Sequence, residues 1–281
     1  MIGYLRKAEF SYNREYHNHF SYSLMLRNKV YESSRLMQFE TRREGMPHFV
    51  SELPQTELEL NLRYAPGEKF TQNKWDRNSL LPERPVFTLS HSVALKDVLG
   101  SQFTCHHTEA SARKRFWLSS FGYIEAVAKG GRVWNDVPYP LLIIPNANLS
   151  YTLQKESFAL MNPMEFVADS YASWETIYYM NGLIFNRLPL IRRLGWREVI
   201  DFKGFYGSLR PGNQPTHENS NGLYLFPNEQ HPLGRMPYME LSVGIENIFK
   251  VLEVDYIRRL TYRDVPGVSP HGVRIRVHAQ F

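Results

Sequence analysis

The sequence holds a single cysteine, Cys105. No disulfide within the chain can brace its fold, and cysteine usage says little about compartment. It also lacks any apolar run near the ~18 residues a membrane-crossing helix needs; the densest cluster is Leu141 to Ile144. Helical membrane proteins are thereby excluded. Met1-Ile2-Gly3-Tyr4-Leu5-Arg6 leads straight into charged sequence, with no apolar export core and no small-residue cleavage site. No Ser/His/Asp order and no paired-carboxylate spacing points to hydrolysis, so neither an enzyme nor a cofactor is expected. Net charge is +5, but the basic residues are scattered and build no compact patch, which argues against a nucleic-acid partner. Metal sites are not expected either. His17 and His19 have no third ligand nearby, and Cys105, His106, His107 and Glu109 would alternate between the two faces of a strand.

What the chain does have is alternation and aromatic rings. Hydrophobic residues make up 43% and aromatics 14%, with 17 Tyr, 17 Phe and 5 Trp. A wall of strands that is polar on one side and carries aromatic girdles at two interfaces has this composition. The last stretch, HGVRIRVHAQF, states the pattern best. Val273, Ile275, Val277, Ala279 and Phe281 share one face of an extended strand, and Arg274, Arg276, His278 and Gln280 share the other. Such a cationic face is costly in a dry core and cheap against water. At roughly ten residues the strand has the length a tilted bilayer-crossing strand needs. Val273, Ile275, Val277 and the terminal Phe281 form the expected barrel-assembly signal, and Arg274 and Arg276 the expected lumen-facing charge.

The same pattern recurs upstream. Phe20, Tyr22, Leu24 and Leu26 alternate with polar neighbours after a hairpin turn near residues 13–18. Leu58, Leu60, Leu62 and Tyr64 oppose Glu57, Glu59, Asn61 and Arg63. Phe87 and Leu89 oppose Thr88 and Ser90; Ile124, Ala126 and Ala128 oppose Glu125, Val127 and Lys129. Further strands are expected at 103–118, 166–180, 196–209 and 239–245, then through Val254, Tyr256, Leu260 and Tyr262, where Arg258 breaks the pattern. The sum is about eleven antiparallel strands. Residues 181–195 read as a short turn-helix with Arg187, Arg192 and Arg193 on a basic side. Long connections at 33–54, 135–164 and 210–235 fall at one end. Mostly short ones fall at the other, with 65–84 and 181–195 longer than usual. Three prolines, at 138, 140 and 145, bar 135–164 from a central strand. Its apolar content predicts that it folds inward as a lumen loop through Pro145, Asn146, Asn148 and Tyr151, packing Leu141 to Ile144 against the wall or mouth and giving Asn146, Asn148 and Ser150 polar contacts to lumen groups such as Lys203 or Glu240; the alternative is a surface cap resting on neighbouring loops.

Several runs carry a resemblance: NLRYAPGEKF (61–70), VPYPLLIIPNANLSY (137–151), FALMNPMEFVAD (158–169), YMELSVGIENIFK (238–250) and RRLTYRD (258–264). Together they resemble the barrel portion of the DUF5686 family of Bacteroidota, whose members often carry an N-terminal carboxypeptidase-regulatory-like domain. That barrel in turn resembles the Omp85 type, of roughly sixteen strands with a long sixth outer loop folded into the lumen. The resemblance implies an all-β fold: an antiparallel transmembrane β-barrel, here an incomplete arc. Residues 1–281 would be the C-terminal part of one barrel domain from a longer, signal-bearing precursor of the bacterial outer membrane. Residues 135–164 take the place of the sixth loop, though the tip Asn146-Ala147-Asn148 has no Arg-Gly pair. The implied function is non-enzymatic assistance of protein insertion or translocation. Its partners would be outer-membrane lipid, the barrel assembly machinery and client polypeptides. A solute channel with anion preference, suggested by Arg274 and Arg276, is the alternative.

Overall fold

The structure is a computed structural model describing residues 4–34, 37–72, 77–79, 83–150, 152, 154, 156–218, 220–227, 230–265 and 267–277. Eleven strands form one sheet: β1 (Tyr4–Glu15), β2 (Phe20–Glu32), β3 (Glu52–Tyr64), β4 (Val86–Ala94), β5 (Cys105–Trp117), β6 (Tyr123–Val133), β7 (Ser170–Tyr179), β8 (Arg197–Ser208), β9 (Tyr238–Ile248), β10 (Leu252–Arg259) and β11 (His271–Val277). Each pairs antiparallel with its sequence neighbours, so the topology is a pure meander. Among the described residues β1 and β11 do not pair with each other, and the sheet is an open arc.

Period-two sequence produces two unlike faces. Leu24, Leu26, Leu58, Leu60, Phe87, Leu89, Val243, Val273, Ile275 and Val277 all lie on the outer face and all are exposed. The register sets them side by side: Leu24 opposite Leu60, Leu26 opposite Leu58, and Leu62 opposite Leu89. Ion pairs occupy the inner face. Arg27 of β2 meets Glu9 of β1 at 2.7 Å and Glu57 of β3 at 3.3 Å, and also binds Glu59. Arg115 of β5 pairs with Glu125 of β6. Lys203 of β8 lies 2.9 Å from Glu175 of β7 and 3.0 Å from Asp201. Arg276 of β11 lies 3.1 Å from Glu253 of β10. Cross-strand pairs of opposite sign stabilise register as well as neutralising one another.

The connections separate by end. Residues 16–19, 65–85, 118–122, 180–196 and 249–251 link strands at one end; 33–51, 95–104, 134–169, 209–237 and 260–270 link them at the other. Backbone in the left-handed region makes the tight turns. Gly122 has φ 93°, and a Cβ there would sit 2.0 Å from the Tyr179 carbonyl oxygen, so glycine is required. The long-loop end has its own core. A hairpin, Phe39–Arg43 with Met46–Val50, turns at Glu44 and Gly45, both of positive φ. Phe39 stacks on Tyr224 at 4.9 Å, and both bury against Leu53, Val133, Val137, Tyr139, Leu142 and Val167. Burial pushes the Tyr224 phenol up to about 12 and raises that of Tyr139, so both stay neutral.

Three expectations need correction. Residues 33–54 are not a connection throughout, because the hairpin lies within them and β3 already begins at Glu52. Residues 166–180 are not one strand. Phe166–Val167 pairs in parallel with His231–Pro232, Ala168 bridges to Ile143, and β7 starts only at Ser170. The break comes at Asp169, whose carboxylate is bound by Arg210 and Asn213 in the connection that leaves the neighbouring strand β8. Residues 181–195 form two 3-10 turns, Phe185–Arg187 and Ile191–Leu194, where a turn-helix was expected.

Candidate functional site

The connection from 134 to 169 runs from the mouth down onto the inner face, and three kinds of contact hold it there. Near the mouth, apolar packing comes first. Val137, Tyr139 and Leu142 enter the cap core, and the Tyr139 hydroxyl donates to the Gln38 carbonyl at 3.2 Å. Further in, Pro145 is buried, and residues 146–148 run beside Phe158. Phe158 N donates to Asn146 O and Asn148 N donates to Phe158 O, each at 2.8 Å.

Carboxylates and cations of the wall then bind the descending backbone. Glu240 of β9 accepts from Ala159 N at 2.9 Å and Leu160 N at 2.8 Å, and from the Tyr238 hydroxyl at 2.6 Å. Lys203 donates to the Ser157 carbonyl at 3.2 Å, and Arg274 of β11 to that of Ala159 at 2.9 Å. Glu156 binds Arg113 of β5 and Lys129 of β6. Burial would raise its pKa, but those two cations outweigh burial and hold it below the usual carboxylate range. Residues 156–160 thus touch β5, β6, β8, β9 and β11, which is possible because the sheet curls around them. Gly272 leaves the room Leu160 needs, since a Cβ there would stand 2.9 Å from its Cδ2.

Two buried ionic anchors complete the descent. Glu165 takes Arg259 in a fork, with one pair at 3.0 Å, and Arg259 also lies 4.7 Å from the centroid of the Tyr238 ring. Neither Glu165 nor Arg259 is measurably exposed beyond 3%. Asp169 Oδ2 accepts from Arg210 N at 2.8 Å, Arg210 Nε at 3.0 Å and Asn213 Nδ2 at 3.0 Å. Burial alone would raise the Asp169 pKa; the Arg210 backbone N–H, the Asn213 amide and the Arg210 guanidinium outweigh it and lower it. Arg210 in turn donates to the carbonyls of Val133, Trp134 and Asn135 at 3.1 Å, tying the two longest connections together. Between this segment and the wall lies a cavity of about 340 Å³, lined by Glu109, Lys129, Glu156, Tyr171, Glu175 and Lys203 among others.

The residues singled out from sequence fall as follows. Val273, Ile275 and Val277 face outward and are exposed; Phe281 and Tyr151 lie outside the described residues. Arg274 and Arg276 share the inner face, but Arg276 is buried beside Glu253 and Asp255, the latter at 4.0 Å. Lys203 and Glu240 do receive the connection, through the backbone of 157–160. Asn148 instead braces its own turn, donating to Ser150 O at 3.1 Å and Thr152 O at 3.2 Å, and Asn146 is exposed. Sequence reasoning missed Glu156, Glu165, Asp169, Arg210 and Arg259. One signal was available: the run FALMNPMEFVAD is too densely apolar for a surface loop, and it is buried almost throughout. His107 and Glu109 face inward, His106 outward, as alternation requires, and no group of three or more candidate metal ligands occurs among the described residues.

The chain is similar to known proteins in two respects. The model of the C-terminal domain of a family of unknown function, DUF5686, matches residues 4–223. The fold is similar to that of BamA from Haemophilus ducreyi lacking POTRA domains 1–3, with TM-score 0.55 and 9% identity. That likeness covers 96% of this chain and 54% of the BamA chain, so the present sequence spans about half the length of its structural neighbour. No curated protein matches it by sequence.

Proposed function

This chain belongs to the DUF5686 family, whose C-terminal domain its residues 4–223 match, and from that premise we propose that it forms part of the wall of a non-enzymatic outer-membrane barrel that assists insertion or translocation of polypeptides. The observation that carries the reading is the polarity of the sheet: an exposed apolar outer face, and an inner face of ion pairs on which a connecting segment is bound. Water would penalise the outer face, whereas hydrocarbon matches it. The partner of that face is therefore outer-membrane lipid. Lipid cannot satisfy the free edges of β1 and β11, which supports completion of the barrel by further strands of a longer, signal-bearing precursor. The C-terminal strand is the element the barrel assembly machinery would read.

The polypeptide-assisting role rests on likeness of fold to BamA and on the Omp85 resemblance, and is an argument by analogy. The inner face favours it over an anion-preferring channel. Arg276 is matched by Glu253 and Arg274 by the Ala159 carbonyl, so the two cations that motivated the channel are both engaged. Reconstitution of the full-length protein in planar bilayers, with photo-crosslinking from the inner face in cells, separates the two. The expected result is crosslinks to other polypeptides without steady conductance. Steady anion-selective conductance with no polypeptide crosslinks would overturn the proposal.

A further inference from the structure

The end of the sheet that carries the short turns also holds a longer segment, residues 180–196. It contains Arg187, Arg192 and Arg193 and no acidic residue. All three arginines are exposed, and no ion pair to any of them occurs among the described residues. Interleaved with them, Ile184, Leu188, Leu190 and Leu194 are exposed as well, Leu190 at 84%. The neighbouring turn, 249–251, adds Phe249 at 84%, Val251 and the exposed Lys250. Leu190 and Phe249 are thus more open than any residue of the lipid-facing belt, and a water-facing loop gains nothing from either.

The segment is nonetheless fixed in place. Glu198 at the start of β8 accepts from Ile184 N at 3.1 Å and from Phe185 N. Asn247 donates to the Gly195 carbonyl at 2.7 Å, joining the segment to the β9–β10 turn, and Gly195 closes the second 3-10 turn at φ 66°. Glu198 is buried and bound through Oε1 to those amides, and Glu246 lies 4.0 Å from Arg197. The result is a held ridge of exposed leucines and a phenylalanine beside cations that form no ion pair among the described residues, at the short-turn end of the strands.

We infer that this ridge docks on anionic phospholipid, its leucines and Phe249 entering the acyl boundary of the leaflet at the short-turn end while Arg187, Arg192, Arg193 and Lys250 contact lipid phosphates. Long basic side chains suit that position because their stems lie along apolar surface and their heads reach the phosphate layer. Near an anionic surface each such cation favours binding by about fivefold. The inference rests on the membrane reading above, and the test keeps the two apart.

The full-length protein, with Cys105→Ser as background, is placed in nanodiscs and given an environment-sensitive dye at Leu190→Cys or, separately, at Leu26→Cys on the outer face. Quenching by lipids brominated near the headgroup is read at both positions. The ridge predicts quenching at both, and a preference of phosphatidylglycerol over phosphatidylcholine around Leu190 that falls about fivefold or more in R187Q/R192Q/R193Q. Quenching at Leu26 with none at Leu190 would overturn the ridge and spare the barrel. Quenching at neither would overturn both. An unchanged lipid preference in the triple variant would overturn the role given to the arginines.

Discussion

Arg259 and Glu165 sit 94 positions apart in sequence and form a buried fork on which the end of the infolded connection rests. Removing one member of such a pair strands the other's charge, at a cost of about 3–5 kcal/mol. Arg259→Leu should therefore destabilise the protein strongly. Arg259→Leu with Glu165→Leu should cost much less than the sum of the single changes, as chemical denaturation of the refolded protein would show. Asp169 makes a pH-dependent contribution. Its pKa is lowered from the ordinary 3.8 in the folded state, so its stabilisation is complete above that value and disappears as pH falls through the depressed one. Asp169→Asn should cost about 1.5–3 kcal/mol at neutral pH. In thermal melts the gap between variant and parent should hold down to about pH 4 and close below it. An unchanged gap at the lowest pH would mean that Asp169 acts only through its shape. Neither anchor was legible in the sequence. Both acids stand in the run FALMNPMEFVAD, but alternation places neighbours within a strand and says nothing of a cation reaching over from another element.

Elements were read better than anchors, and for a physical reason. Strand faces follow from period-two patterning wherever one side is apolar and the other charged, so Leu58 to Tyr64 and Val273 to Val277 lie on the faces expected of them. The hairpin Phe39–Arg43 with Met46–Val50 escaped notice because neither of its strands is long enough to show a period. The break before β7 is not legible because the run 166–180 is aromatic-rich on both sides of Asp169, and neither a parallel bridge nor a bound carboxylate leaves a mark in that pattern. β11 offers a test of its two faces. Ile275→Lys should cost about 2–4 kcal/mol toward the midplane and sharply lower the assembled fraction, whereas Arg274→Gln gives up one hydrogen bond to Ala159 and should lower it much less. Equal losses would mean the faces are misassigned. The infolded connection can be tested by accessibility. With Cys105→Ser as background, Met46→Cys in the exposed hairpin should react rapidly in whole cells with a bulky membrane-impermeant maleimide. Ala147→Cys should react far more slowly. Equal rates would place the tip of the connection outside.

At the scale of the whole molecule, one division governs everything else: apolar side chains outward, charged ones inward, and a long connection bound on the inner side. It explains how the described residues hold together without an α-helix or a disulfide, since each strand is held by its neighbours' backbone. It also explains why a fold with 43% hydrophobic residues exposes so many of them. The direct test is a cysteine scan of neighbouring positions in the full-length protein in native membranes, with Cys105→Ser as background, at Leu60 and Asn61 of β3 and at Leu89 and Ser90 of β4. A small water-soluble thiol reagent and a lipid-phase photoprobe are applied in parallel. The account predicts that Asn61 and Ser90 take the water-soluble reagent while Leu60 and Leu89 take the lipid probe. Equal labelling of both faces by the water-soluble reagent, with no lipid probe at either leucine, would contradict it.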